Sequence, residues 1–114
     1  MAATRILVVE DEFFIALDIS SILEHAGLVV VGPAANVADA LQAIGAEQID
    51  GALLDAHLAG EPVGRVADAL RARAIPFAFV SGYGREHLPP AYQNATLVKK
   101  PFTGSDLLAA IARF

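Results

Sequence analysis

Hydrophobic and polar positions alternate along the chain in blocks of two kinds. Short, mainly apolar runs occur at residues 6–9, 28–32, 51–54, 77–80 and 96–99. Runs of this length without alternation predict strands buried on both faces. Between them, apolar residues return every three or four positions, as on one face of a helix. A helix is predicted over 13–26, with Ile15, Ile19, Ile22, Leu23 and Ala26 as its buried stripe and Gly27 as its C-terminal stop. A second helix opens at Asn36, with Asp39 three residues on, and turns Val37, Ala40, Leu41 and Ile44 inward. A third covers 63–74 with Val66, Ala69 and Leu70 inward. The last opens at Thr103, with Asp106 at the third position and Leu107, Leu108 and Ile111 facing in. Pro33 is expected to end the second strand, because it lacks the N–H of a ladder. Strands alternating with helices imply right-handed crossovers and a doubly wound parallel α/β sheet. One helix is missing from the alternation. Residues 82–95 carry Gly82, Gly84 and the pair Pro89-Pro90, which leave room for only one or two short helical turns.

Composition narrows the class. The chain has 114 residues, of which 55% are hydrophobic. That suits one domain with a real core, here taken as residues 1–114, and excludes disorder. No apolar run reaches the ~20 residues of a membrane span. The N-terminus Met1-Ala2-Ala3-Thr4-Arg5 has no signal-peptide pattern. Without cysteine there is no disulfide or thiolate metal site. A cytoplasmic location is expected. The net charge is −5, and the eight Lys and Arg residues form no patch, so direct nucleic-acid binding is not expected.

The candidate chemistry sits where strands end. Asp55 closes the third strand, Glu10-Asp11-Glu12 follow the first, Ser81 follows the fourth and Lys100 follows the fifth. In an open parallel sheet these C-terminal ends share one edge, so residues distant in sequence can converge there. Each has an ordinary reading too. Asp55 and Ser81 could be turn residues, the acidic triplet a favoured helix N-terminus, and Lys99-Lys100 a solvated pair. Their joint placement favours a site. Two carboxylates about 4 Å apart repel by about 4 kcal/mol at an effective dielectric near 20. A cluster of three calls for protons, solvent or a shared cation, and hard oxygen donors suit Mg²⁺. With Lys100 as a second positive group, Asp55 could attack a phosphoryl group and form an acyl phosphate. The Ser81 hydroxyl would donate to a phosphoryl oxygen.

The motifs Val8-Val9-Glu10-Asp11-Glu12, Leu53-Leu54-Asp55, Val80-Ser81-Gly82 and Lys100-Pro101-Phe102 resemble the receiver domain of two-component response regulators over essentially the whole chain. The resemblance implies a flavodoxin-like five-stranded sheet in the order 2-1-3-4-5. It implies phosphorylation of Asp55, with Asp11 and Asp55 as direct Mg²⁺ ligands and Glu10 acting through water. The backbone carbonyl of His57 would complete the ligand set. Lys100 would pair with the phosphoryl group, Ser81 would be the hydroxyl switch, and Lys100–Pro101 would be cis. The implied partners are a histidine kinase or histidine phosphotransfer protein and a downstream protein, with a phosphorylation-dependent dimer also compatible. Such a protein is a phosphoacceptor rather than an enzyme.

One departure stands out. Receivers commonly carry an aromatic residue three positions before the lysine, and here that position is Leu97. The stretch Pro76-Phe77-Ala78-Phe79-Val80-Ser81-Gly82-Tyr83-Gly84 instead resembles a subgroup with a Phe…Thr/Ser-Gly-Tyr signature. That subgroup is common in alphaproteobacterial signalling, often beside kinases of the HWE type. Its members lack the aromatic and have a weak fourth helix. Signalling is then expected to run through order in residues 82–94, with Tyr83 as the lever. Phe13, Phe14 and Leu17, with Pro101 and Phe102 beside them, are expected to dock the kinase. Three other readings share parts of the pattern. A cofactor binder of the same architecture would want an anion-binding loop where this chain places three acids. A metal-dependent phosphatase with an Asp nucleophile would want an acid where His57 stands. A degenerate receiver would act only as an interaction module, which the intact quartet disfavours. His25, His57 and His87 show no paired metal-ligand spacing.

Overall fold

The apolar runs become five strands and the helical patterns four α-helices in the computed structural model, which describes residues 4–58 and 60–114. In chain order these are β1 (Arg5–Val9), α1 (Phe13–His25), β2 (Val29–Ala34), α2 (Val37–Ala46), β3 (Gly51–Asp55), α3 (Gly64–Ala72), β4 (Phe77–Ser81), β5 (Thr96–Lys99) and α4 (Gly104–Ala112). The sheet runs β2-β1-β3-β4-β5, with every described pairing parallel. Residues Met1–Ala3 and Ala59, the latter in the stretch after Asp55, lie outside the described residues.

Alternate side chains of each strand point to opposite faces, so the core has two halves. Ile6, Val8, Leu53, Ala78 and Val80 pack under Ile19 and Leu23 of α1 and Leu107 and Ala110 of α4. Leu7, Val9, Ala52, Leu54 and Phe79 pack against Ala40 and Ile44 of α2 and Val66 and Leu70 of α3. β3 is buried from end to end, between β1 and β4. Its last residue therefore opens at the middle of the sheet's C-terminal edge.

The helix ends follow their capping residues. Gly27, at φ 83°, closes α1, with its N–H donating to the Glu24 carbonyl and the Leu28 N–H to that of Leu23, both at 3.0 Å. The Asn36 side chain accepts from the Asp39 N–H at 2.8 Å. Thr103 and Asp106 make a complete capping box on α4. α3 stops at Ala72, two residues short of the expectation. Ala74 turns left-handed at φ 57°, and the Ile75 N–H closes onto the Leu70 carbonyl at 2.9 Å. The inward faces shift slightly: Ala67 rather than Ala69 is buried on α3, and Ala26 is exposed while Ala16 and Ser20 are buried on α1.

Pro33 does not end the second strand. β2 runs through it to Ala34, because β2 lies at the sheet edge and the register shifts between Leu7 and Val9. Gly32, at φ 91°, makes this irregularity, and a proline at an edge bulge interrupts no central ladder. Lys100–Pro101 is cis, as expected, and so is Gly32–Pro33.

Between β4 and β5 stand only two 3₁₀ turns, Arg85–His87 and Pro90–Tyr92. This stretch is nevertheless held down. Leu88 and Tyr92 are buried. The Tyr92 ring packs edge-on to Phe77 at 5.6 Å, and its hydroxyl donates to Asp68. Arg85 donates from Nη1 to the carbonyls of Gln93 and Ala95. No described helix is long and apolar enough to cross a membrane.

Candidate functional site

The strand ends bring Glu10, Asp55, Ser81 and Lys100 to one edge. Glu10 follows β1, and its N–H donates to the Ala34 carbonyl at 3.0 Å. Asp55 and Ser81 are the last residues of β3 and β4. The Lys100 N–H donates to the Ser81 carbonyl at 2.8 Å, extending the β4–β5 pairing one residue. Glu10, Asp55 and Ser81 are only 2%, 4% and 1% exposed. Two buried carboxylates at one place are costly unless charge is compensated.

Compensation comes first from Lys100. Its Nζ lies 3.1 Å from Glu10 Oε1 and 3.6 Å from Asp55 Oδ1. The backbone contributes too. The His57 N–H donates to Asp55 Oδ1 at 3.0 Å, and the Glu12 N–H donates to Glu10 Oε2 at 3.2 Å. These do not balance the site. The Glu10 carboxyl is pushed up to about 7 by burial, by its hydrogen bond to Asp55 and by the Asp55 charge, against the pull of the Glu12 N–H and Lys100. Burial lowers the Lys100 ammonium, but Glu10 and Asp55 outweigh it and hold it above its ordinary value.

Carboxylate oxygens of Glu10, Asp11 and Asp55 lie within 4.8 Å of one another. Three hard oxygen donors around one point, one of them driven to keep its proton, are a donor set that a divalent cation fits. The Ser81 Oγ accepts from the Tyr83 N–H at 3.0 Å, which leaves its hydroxyl hydrogen for a second partner.

Two features were not visible in the sequence. The His57 ring packs 5.0 Å from Tyr83 and 6.2 Å from His87, and Tyr83 lies 4.9 Å from His87. This aromatic group beside the site joins the β3 and β4 loops to the first 3₁₀ turn. Its members are 30 residues apart in sequence at most (57 to 87), and no spacing rule connects them. The second concerns α1. Phe13, Phe14 and Leu17 are exposed at 71%, 80% and 55%, but Phe13 and Leu17 do not line the same cavity as Pro101 and Phe102. Those two line a cavity of about 390 Å³ with Ile15, Asp18 and Lys100. Phe13 and Leu17 line another, on the β2 side of the helix. Positions 13 and 17 project from the opposite flank to 15 and 18. Leu97 packs half-buried against the α2–α3 side of the core.

A parallel sheet of this order, with an acidic cluster at its C-terminal edge, defines a class, and the sequence matches it directly. Residues 6–112 match the family described as the response regulator receiver domain. The chain belongs to that family, the receiver domain of two-component signalling. Among its relatives is the phyllosphere-induced regulator PhyR of Methylorubrum extorquens, 31% identical over 97% of this chain. This chain spans only 43% of that protein's length. The solution structure of SdrG from Sphingomonas melonis Fr1 is 38% identical, with a TM-score of 0.86 over 98% of this chain and 97% of that one. SdrG also has a solution structure in a BeF3-activated conformation, with a TM-score of 0.82. The crystal structure of PhyR from Brucella abortus is 33% identical, with a TM-score of 0.84 over 98% of this chain and 47% of that one.

Proposed function

We propose that this chain is a phosphoacceptor, and that Asp55 takes a phosphoryl group from a phosphohistidine of a histidine kinase or histidine phosphotransfer protein. One observation carries the reading. The Asp55 carboxylate ends the central strand, 4% exposed, with a lysine ammonium 3.6 Å from Oδ1 and two further carboxylates within 4.8 Å. A carboxylate oxygen of Asp55 attacks phosphorus in line with the scissile P–N bond. The acyl P–O bond forms, the P–N bond breaks, and its electron pair returns to the imidazole. Lys100 moves its pairing toward the transferred phosphoryl oxygens. The Ser81 hydroxyl donates to one of them. Glu10, Asp11, Asp55 and the His57 carbonyl would hold Mg²⁺, which supplies charge neutralisation at the phosphoryl group. BeF3 is a tetrahedral mimic of a phosphoryl group, so the activated form of the 38%-identical SdrG supports the reading.

The output runs through a protein partner rather than nucleic acid, in keeping with the net charge of −5. The Phe…Thr/Ser-Gly-Tyr signature and Leu97 favour the HWE-associated subgroup and its kinases. The donor docks at the cavity of Ile15, Asp18, Pro101 and Phe102, beside Lys100. The chain is not an enzyme on this reading, and the His57 ring rests on Tyr83 in place of the acid a phosphatase would use. Incubation with Mg²⁺ and acetyl phosphate should add one phosphoryl group by intact mass, and the Asp55→Asn variant should gain none. A phosphorylated Asp55→Asn protein would overturn the assignment.

A further inference from the structure

The loop that follows Asp55 is tied to the start of α2 by a side chain outside the acidic cluster. Glu61 Oε1 accepts from the Val37 N–H at 3.2 Å. Val37 is the first residue of α2, and its N–H is one of the donors that a helix start leaves unsatisfied. Asn36 does not cover it, because its side chain takes the Asp39 N–H instead. A carboxylate is a favoured partner at this end of a helix. Inside the loop, Gly60 turns left-handed at φ 75° and brings Glu61 back toward Leu58. The Glu61 N–H donates to the Leu58 carbonyl at 2.7 Å, and the two residues pair as an isolated antiparallel bridge. Leu58 is 2% exposed and packs in the α2–α3 half of the core.

These contacts close a circuit between the two acidic loops of the site. On one side, the Glu10 N–H donates to the Ala34 carbonyl, and Ala34 stands three residues before Val37. On the other, Glu61 and Leu58 anchor the chain just beyond His57, whose N–H donates to Asp55 Oδ1 at 3.0 Å. The β1 loop, with Glu10 and Asp11, is thereby set against the β3 loop, with Asp55 and the His57 carbonyl.

We propose that Glu61 is a positioning residue for the metal-binding edge: it fastens the β3 loop to α2, so that Asp55 and the His57 carbonyl keep their spacing from Glu10 and Asp11. The role rests on the Mg²⁺ ligand set proposed above. Mg²⁺ demands near-ideal octahedral geometry, so ligands on two separate loops must not drift apart. Groups that only orient metal ligands still cost affinity when removed. Glu61 acts through the loop, with its carboxylate on the α2 N-terminus. Its negative charge acting on a cation at a distance is the competing explanation. Glutamine separates the two, because it keeps an acceptor oxygen and loses the charge.

The test titrates Mg²⁺ into the labelled full chain and reads the dissociation constant from amide shifts. Glu61→Ala, at an exposed position, should weaken Mg²⁺ binding about tenfold, the low end for a group that orients metal ligands. Glu61→Gln should stay within about twofold of the parent. In EDTA, amide exchange at Val37 and at His57 should be faster in Glu61→Ala and at the parent rate in Glu61→Gln. A plain helix cap would speed exchange at Val37 alone and leave His57 and the Mg²⁺ affinity unchanged, which overturns the proposal. Equal weakening by alanine and glutamine also overturns it, since charge rather than the tether would then be at work. A parent that binds no Mg²⁺ removes the ligand set itself and the role of Glu61 with it, a failure read on the parent alone. A parent that binds Mg²⁺ beside a Glu61→Ala protein that binds it equally well removes only the role of Glu61.

Discussion

The ammonium of Lys100 lies closer to Glu10 than to Asp55, 3.1 Å against 3.6 Å. In this state the lysine compensates Glu10 first and Asp55 second. Anything that neutralises Glu10 frees Lys100 for Asp55. Metal binding and protonation both do so, which couples stability, metal and pH at one point.

The pH dependence has a definite sign. Glu10 is raised from 4.5 to about 7 by burial and the neighbouring Asp55. Its folded state holds the proton more tightly than the unfolded chain. The contribution is therefore fully present below pH 4.5 and is lost as pH rises to about 7. At most about 3 kcal/mol is at stake. Urea melts in EDTA from pH 4 to 8 should show the parent losing stability relative to Glu10→Gln across this window. Parallel curves for the two proteins would refute the coupling.

Magnesium should reverse that loss. A cation bound only by the folded state adds about 2.7 kcal/mol at one hundred times its dissociation constant. The gain should be larger at pH 8 than at pH 5, because protons compete for the same oxygens. Thermal melts with and without Mg²⁺ read it directly. Asp11→Ala should lose most of the Mg²⁺-dependent shift, and an undiminished shift would remove Asp11 from the ligand set.

The stretch between β4 and β5 should respond in two parts. Leu88 and Tyr92 are buried, and Arg85 clamps the carbonyls of Gln93 and Ala95. Tyr83 and His87 are exposed beside His57. Hydrogen exchange with and without BeF3 should change protection over residues 82–87 and leave residues 92–95 nearly unchanged. Tyr92→Phe, which keeps the ring contacts but removes the hydroxyl bonded to Asp68, should cost about 1 kcal/mol and raise exchange in the anchored part. Uniform change across both parts would mean the segment orders as one unit.

Ala74 sits at φ 57° after α3, a conformation that costs a residue with a Cβ roughly 1–2 kcal/mol. Glycine removes that strain and gives back part of it through greater freedom in the unfolded chain. Ala74→Gly should raise stability by about 0.5–1 kcal/mol, visible as a higher urea midpoint with an unchanged slope. Ala74→Val should lower it.

The sequence by itself determined the element types, the parallel sense of the sheet and the convergence of Glu10, Asp11, Asp55, Ser81 and Lys100. These follow from local rules. Periodicity separates strand from helix, caps such as Thr103 and Gly27 fix ends, and strands in one parallel sheet deliver their last residues to one edge. The weak helix between β4 and β5 was legible for the same reason, since Pro89-Pro90 and two glycines act locally. Tertiary structure alone decided what depends on distances between elements. Lys100 favours Glu10 because the side-chain geometry across β1 and β5 sets which oxygen it reaches. Pro33 continues β2 because that strand is an edge with a broken register. His57, Tyr83 and His87 meet because two loops end side by side. Phe13 and Leu17 part from Pro101 and Phe102 because the rotation of α1 on the sheet points them to opposite flanks. Each of these is a long-range contact fixed by packing, and no pattern within a ten-residue window encodes it.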